Sequence, residues 1–263
     1  MHTSTWEEHL LALRCLFTRL KECNLTAKPS KCYIGCDEVD FLGHKLGQGK
    51  VSPQVQKVEN ILQVVKPETK KELRSYLGMI GYHRKFIPGF AHHASKLHDM
   101  LGKGKPNKVV WSPETIKAFQ FFKEKLSTYP VLRLPDFSKE MVVAVDSSDI
   151  GIGGALLQNF DGQLCPILYI SRKLKPAETR YSAIERECLA LVWAVKTLHS
   201  YLYGRKFTLM TDHQPLAYIS AAKYSNNRVM RWALDLQIYR YNIKVIKGKD
   251  NHVADYLSRR GID

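Results

Sequence analysis

The stretch from Met141 to Asp212 constrains the fold most strongly, because strand and helix patterns alternate along it. MVVAVD predicts an apolar strand that ends at Asp146, and a Gly-rich turn then leads into a second strand. PILYISRKL predicts a third strand, YSAIERECLALVWAVKTLHSYL a helix, and KFTLMT a fourth strand that leads to Asp212. A helix, a strand and a short helix follow, so the order predicts a mixed sheet with helices against it.

The chain before this stretch predicts an N-terminal helix and a small group of strands. Residues 5–23 carry apolar side chains at helical spacing, with Ser4 or Thr5 as the N-cap. Residues 32–52 predict two or three short strands around a turn at Gly47 and Gly49.

Residues 53–128 predict a basic, all-helical unit. One helix is expected from Pro53 to Val65, one after a capping box formed by Thr69 and Glu72, a short one over about 91–101, and one after Ser112. A linker over 130–135 follows. We therefore expect three parts: an α+β segment over 1–52, a helical domain with its linker over 53–136, and an α/β domain over 137–260.

Composition indicates a polyanionic partner. The chain has 263 residues, with 40 Lys and Arg against 25 Asp and Glu and a formal net charge of +15. A folded protein this basic is typical of one that binds nucleic acid. The alternative is a protein that is basic without such a partner.

The six cysteines form no zinc-type pairs, and most are predicted to be small core residues. No membrane span and no signal peptide are indicated, so we expect an intracellular protein, cytoplasmic or nuclear.

Four acidic residues occupy positions that fit a metal site. Asp146 and Asp212 end strands, Glu187 lies in the intervening helix, and Asp255 lies in the last helix, with separations of 41, 25 and 43 residues. Only the fold can bring such distant residues together. Carboxylates are the hard oxygen ligands that Mg²⁺ takes, and two ions held this way support phosphodiester hydrolysis. Taken singly, each Asp equally fits a turn or helix cap, and only one of Glu185 and Glu187 can face the site.

The chain resembles a known family through four segments: VDSSDIGIGGALLQ, SRKLKPAETRYSAIERECLALVWAV, FTLMTDHQPL and VIKGKDNHVADYLSR. They are similar to the ribonuclease H domain of gypsy-type LTR retroelement reverse transcriptases. Upstream, residues 6–50 resemble the end of the polymerase palm, and residues 53–136 resemble the thumb. The resemblance implies a ribonuclease H-like five-stranded mixed sheet with flanking helices over 137–260, a thumb-like domain over 53–136 and a truncated palm remnant over 1–52.

The resemblance also implies the site. The family's catalytic, metal-binding carboxylates correspond to Asp146, Glu187, Asp212 and Asp255, which would hold two Mg²⁺ ions, or Mn²⁺ instead. The family's usual Asp-Ala-Ser is here Asp146-Ser147-Ser148. The substrate would be an RNA/DNA hybrid, and the candidate contacts are Arg172, Lys173, Tyr181, His213, Asn227 and Arg228 in the nuclease, with Arg74, Arg84 and Lys85 in the thumb-like domain.

Three functions are open from the sequence. The first is a metal-dependent endonuclease that hydrolyses the RNA strand of RNA/DNA hybrids. No Tyr-x-Asp-Asp motif is present, so the chain is not expected to polymerise DNA by itself. The second is a non-catalytic nucleic-acid-binding or assembly subunit, which would associate with the missing polymerase part or with itself. The third is an inert retroelement fragment.

Overall fold

The computed structural model describes residues 3, 5–128, 130–211 and 227–245. The chain begins with helix α1, Trp6–Glu22, which Thr5 and Glu8 cap reciprocally as a capping box. No residue of α1 is buried, and Leu11 and Phe17 are among its exposed apolar side chains.

The prediction that the cysteines are mostly core residues is wrong: Cys15, Cys23, Cys32 and Cys36 are exposed, and Cys188 is buried.

A four-stranded antiparallel sheet follows α1. Strands β1 Glu38–Phe41, β2 His44–Gly47 and β3 Lys50–Pro53 form a meander. The fourth strand, β4 Leu132–Arg133, comes from the predicted linker and pairs with β3. The helix predicted from Pro53 begins later, because Pro53 is the last residue of β3 and lies opposite His44 in the ladder.

Four helices build the unit between β3 and β4. They are α2 Val55–Gln63, α3 Lys70–Tyr82, α4 Phe90–Asp99 and α5 Pro113–Ser127. The predicted capping box of Thr69 and Glu72 is confirmed at α3, and Ser112 caps α5. The core includes Tyr76 and Phe122, and burial raises the pKa of the Tyr76 phenol, whose hydroxyl donates to the Phe119 carbonyl.

The second sheet has five strands and is mixed, as predicted. Strands β5 Met141–Ser147, β6 Gly151–Phe160 and β7 Gln163–Lys173 are antiparallel neighbours, whereas β8 Lys206–Thr211 runs parallel to β5, and β9 Arg240–Val245 runs parallel to β8. The spatial order is β7-β6-β5-β8-β9, so the first and fourth strands of the stretch are adjacent. Helices α6 Ala183–Thr197, α7 His199–Leu202 and α8 Asn227–Leu236 complete this part of the molecule.

The central strand β5 is buried on both faces. Met141, Val143 and Val145 belong to the main core that also contains the apolar side chains of α6. Ala144 belongs to a separate small cluster with residues of β6. Side chains alternate between the two faces of a strand, so α6 covers the face that carries Met141, Val143 and Val145. By the same alternation, Asp146 is on the opposite face, with Ala144.

Among the described helices, none combines the length and apolarity that crossing a bilayer requires.

Candidate functional site

The end of β5 and the second turn of α6 carry the two candidate carboxylates that the structure describes. Asp146, the penultimate residue of β5, is 5% exposed, and Glu187 is 8% exposed. Glu185 is engaged at the start of α6, where its carboxylate accepts from the Ser182 amide and its own amide donates to the Ser182 hydroxyl. A further bond, from Arg228, reaches the Glu185 carboxylate at 3.0 Å. The Glu187 carboxylate, in contrast, contacts β5 through Ser147.

Ser147 links the two carboxylates. Its backbone N–H donates to Asp146 Oδ1 at 2.7 Å, and its hydroxyl donates to Glu187 Oε1 at 2.7 Å. The alternation of the strand explains the second contact, because Ser147 points to the face of β5 that α6 covers. The last two residues of β5 and the second turn of α6 thus form one hydrogen-bonded group.

The donor set fits a hard divalent cation. Two carboxylates held in a mostly buried position offer the oxygen ligands that Mg²⁺ prefers. Within the described ranges, no three or more His, Cys, Asp or Glu side chains gather as a metal site. The described residues include two of the four predicted ligands. Asp212 and Asp255, and the candidate substrate contact His213, lie outside the described residues.

Arg172 and Lys173, the candidate contacts at the end of β7, both have carboxylate partners. Arg172 makes two hydrogen bonds to Glu178, at 2.6 and 3.1 Å, and its guanidinium lies 5.5 Å from the Trp193 ring centroid. The Lys173 ammonium contacts Asp99 of α4 at 2.9 Å. Burial by itself raises the pKa of Glu178, but the hydrogen bonds from Arg172 and from the Lys175 amide outweigh it and lower this pKa.

The candidates near the start of α6 lie together. The Arg228 guanidinium is 3.9 Å from the Tyr181 ring centroid while it pairs with Glu185. The Trp232 ring is 6.3 Å from Tyr181, so α8 contacts the segment that precedes α6. Asn227 is the first residue of α8 and is exposed. Tyr181, Arg228 and Trp232 thus form a cation–aromatic group that contacts Glu185 at the start of α6.

The candidates of the helical unit have different environments. Arg74 is exposed on α3. Arg84 donates to the carbonyl of Ser171 at 2.6 Å, and its guanidinium lies over the Phe90 ring. Burial lowers the pKa of Lys85, whose ammonium is 5.1 Å from the Phe86 ring centroid.

Helix α4 docks on β7 beside Asp146. The N-cap of α4, Gly89, offers no side-chain hydrogen bond, and its φ of 62° lies in the left-handed region that glycine tolerates. Ser171 supplies the cap instead, since its hydroxyl accepts from the Ala91 N–H at 2.9 Å. A narrow cavity lies between the two units, and its lining includes Gly89, Ala91, His92, Asp146, Ser148 and Ser171.

Two residues of this region were missed by the reasoning from sequence. Ser147 had a signal, because it replaces the alanine of the Asp-Ala-Ser pattern in the family that the sequence resembles. Ser171 had none, because its partners Arg84 and Ala91 lie 87 and 80 residues away in the chain.

Comparison with known families and sequences shows which proteins the chain is similar to. Residues 136–239 match the family described as the RNase H-like domain found in reverse transcriptase. The chain is 40% identical over 256 residues to the retrovirus-related Pol polyprotein from transposon 297 of Drosophila melanogaster, a match that covers 97% of this chain and 24% of the relative. It is 33% identical over 264 residues to the Tf2-3 polyprotein of Schizosaccharomyces pombe, covering 98% of this chain and 20% of the relative. The chain thus spans a quarter or less of these relatives.

Solved structures share the fold. The foamy viral protease-reverse transcriptase in complex with double-stranded DNA superposes with a TM-score of 0.79 at 21% identity, covering 94% of this chain and 53% of that one. The same viral protein in complex with an RNA/DNA hybrid gives a TM-score of 0.79 at 21% identity, covering all of this chain and 36% of that one. The five-stranded mixed sheet with its flanking helices is therefore an RNase H-like fold. Residues 136–239 belong to the RNase H-like domains of reverse transcriptases, and the chain is a homologue of part of the retrotransposon Pol polyproteins.

Proposed function

We propose that the chain is a Mg²⁺-dependent endonuclease that hydrolyses the RNA strand of RNA/DNA hybrids. The observation that carries this proposal is the hydrogen-bonded group of Asp146, Ser147 and Glu187 at the end of the central strand. Two carboxylates that are 5% and 8% exposed and are joined through Ser147 offer the oxygen ligands that divalent cations take, so the arrangement favours a bound divalent ion.

Four residues are assigned to the site in this proposal. Asp146 and Glu187 would hold the metal together with Asp212 and Asp255. When bound, a pair of Mg²⁺ ions, or Mn²⁺ in their place, activates water and stabilises the leaving oxygen of a phosphodiester. The chain's own contribution is to fix the carboxylates before substrate arrives, through the buried end of β5 and the capped first turn of α6. Ser182 and Glu185 form that cap.

An RNA/DNA hybrid fits the rest of the chain. Duplexes that contain RNA are recognised largely by shape, by 2′-hydroxyls and by phosphates rather than by base sequence. A net charge of +15 supports such backbone binding. The structural relative with an RNA/DNA hybrid bound supports the same substrate class. Of the cations proposed to contact phosphates, exposed Arg74 could do so directly, whereas Arg172 would first have to leave Glu178.

The test is cleavage of an end-labelled RNA/DNA hybrid in Mg²⁺, with single-stranded RNA and double-stranded DNA alongside. We expect cutting of the RNA strand in the hybrid only. Asp146→Asn should abolish it. The matched control is Asp149→Asn, since Asp149 lies three residues further on, between β5 and β6, and is an exposed carboxylate that pairs with Arg186.

Two results would contradict the proposal. Hybrid binding without cutting would favour the non-catalytic nucleic-acid-binding subunit, and neither binding nor cutting would favour the inert fragment. Cutting that survives Asp146→Asn would show that the activity does not come from this site.

A further inference from the structure

Ser147 uses both of its hydrogen-bond donors on the two candidate metal ligands. The backbone N–H reaches Asp146 Oδ1 and the hydroxyl reaches Glu187 Oε1, each at 2.7 Å. We propose that Ser147 is a positioning residue of the metal site, which sets the orientation of both carboxylates and strengthens metal binding without touching the metal. This inference rests on the proposed function, because it concerns the same site.

The hydroxyl contact joins two separate elements. Asp146 and Ser147 end β5, whereas Glu187 lies forty residues further on in α6. A glutamate has three side-chain torsions, and each hydrogen bond to its carboxylate narrows the set of rotamers that it samples. The bond from Ser147 selects those rotamers that keep Oε1 at the end of β5. The metal then binds a carboxylate whose orientation is already fixed.

The hydrogen bond also bears on metal affinity. Carboxylates that ligate a metal are commonly oriented by hydrogen bonds from outer partners. Outer partners of this kind typically change metal affinity by about 10- to 100-fold when they are removed. Any residue other than proline at position 147 keeps the backbone N–H that donates to Asp146 Oδ1. The contribution of the side chain can therefore be tested separately from that of the main chain.

The experiment measures metal binding to the whole chain without nucleic acid. Mn²⁺ is added to the protein, and free Mn²⁺ is followed by electron paramagnetic resonance. Ser147→Ala removes the hydroxyl, and Ser147→Thr restores it with a β-branched side chain that suits a strand. The matched control is Thr208→Val. Thr208 lies on the neighbouring strand β8, and its hydroxyl also donates to a carboxylate, that of Glu140, at 2.7 Å.

We expect Ser147→Ala to raise the dissociation constant for Mn²⁺ by about tenfold or more. Ser147→Thr should restore the wild-type value, and Thr208→Val should leave it unchanged. In cleavage assays, Ser147→Ala should raise the Mg²⁺ concentration for half-maximal rate and spare most of the rate at saturating Mg²⁺. A purely structural role would instead lower the melting temperature and leave the metal dependence alone.

Three outcomes overturn the inference. Equal or tighter Mn²⁺ binding by Ser147→Ala would show that the hydroxyl does not strengthen metal binding. If the wild type still cuts the hybrid, the proposed function remains supported in that case. Failure of Ser147→Thr to rescue a weakened Ser147→Ala protein would show that the hydroxyl is not the active feature. A wild-type chain that neither binds Mn²⁺ nor cuts the hybrid would overturn the proposed function together with this inference.

Discussion

The contact between α4 and β7 gives a stability prediction that the structure makes quantitative. Ser171→Ala removes the hydroxyl that accepts from the Ala91 N–H at 2.9 Å and caps α4 across the two units. Ser171 is 5% exposed and Ala91 is half-buried, so the substitution leaves the Ala91 amide without this partner in a partly buried position. Loss of an N-cap or of a buried acceptor costs about 1–2 kcal/mol. In a chain of this size such a loss lowers the melting temperature by about 2–4 °C.

Two measurements check this prediction. Urea unfolding should show the loss of free energy, and hydrogen exchange should show the Ala91 amide exchanging about 5–30 times faster in Ser171→Ala. The control is Ser127→Ala, whose exposed hydroxyl bonds the Glu124 carbonyl within its own helix, with an expected change within about 0.5 kcal/mol. If both variants have the wild-type stability and Ala91 keeps its protection, α4 is not capped by Ser171, and the reasoning fails.

Two further predictions concern pH and nucleic-acid binding. Burial, His92 and nearby lysines lower the pKa of His93 to about 4 in the folded chain, against an ordinary value of 6.5. The stability that neutral His93 contributes is therefore complete above pH 6.5 and is lost as the pH falls towards 4. His93→Phe should flatten the fall in unfolding free energy between pH 7 and pH 5, and an unchanged slope would contradict this assignment. Arg74→Ala should weaken hybrid binding and reduce the slope of log affinity against log salt by about 1, as measured by fluorescence anisotropy; an unchanged slope would mean that Arg74 contacts no phosphate.

Patterns that are local in the chain were predictable from sequence. The capping box of Thr69 and Glu72 and the cap at Ser112 follow from residues within one turn, and the structure confirms both. The mixed sheet follows from strand and helix periodicity, and the structure confirms it. Asp146 and Glu187 were candidates from their positions at a strand end and on a helix. Their roles as ligands stay predictions, as do the domain boundaries.

Contacts between distant residues could not be predicted. Nothing near Ser171 in the sequence indicates that it caps a helix 80 residues earlier, because both partners look like ordinary polar or backbone groups. Arg172 carried a charge that fitted a phosphate, and only the folded chain shows its two bonds to Glu178. The Cys15 thiol has apolar neighbours in sequence but is exposed, because α1 buries none of its residues.

The central claim is hydrolysis of RNA at the carboxylates of β5 and α6, and the ends of the cleaved RNA test it most directly. A hybrid with RNA labelled at each end in turn is cut in Mg²⁺, and the products are compared with those of Asp146→Asn. Attack by water leaves a 3′-hydroxyl and a 5′-phosphate, whereas attack by the RNA's own 2′-hydroxyl leaves a 2′,3′-cyclic phosphate. We predict 3′-hydroxyl and 5′-phosphate ends that disappear in Asp146→Asn. Cyclic-phosphate ends, or cleavage that persists in Asp146→Asn or without divalent metal, would contradict the account.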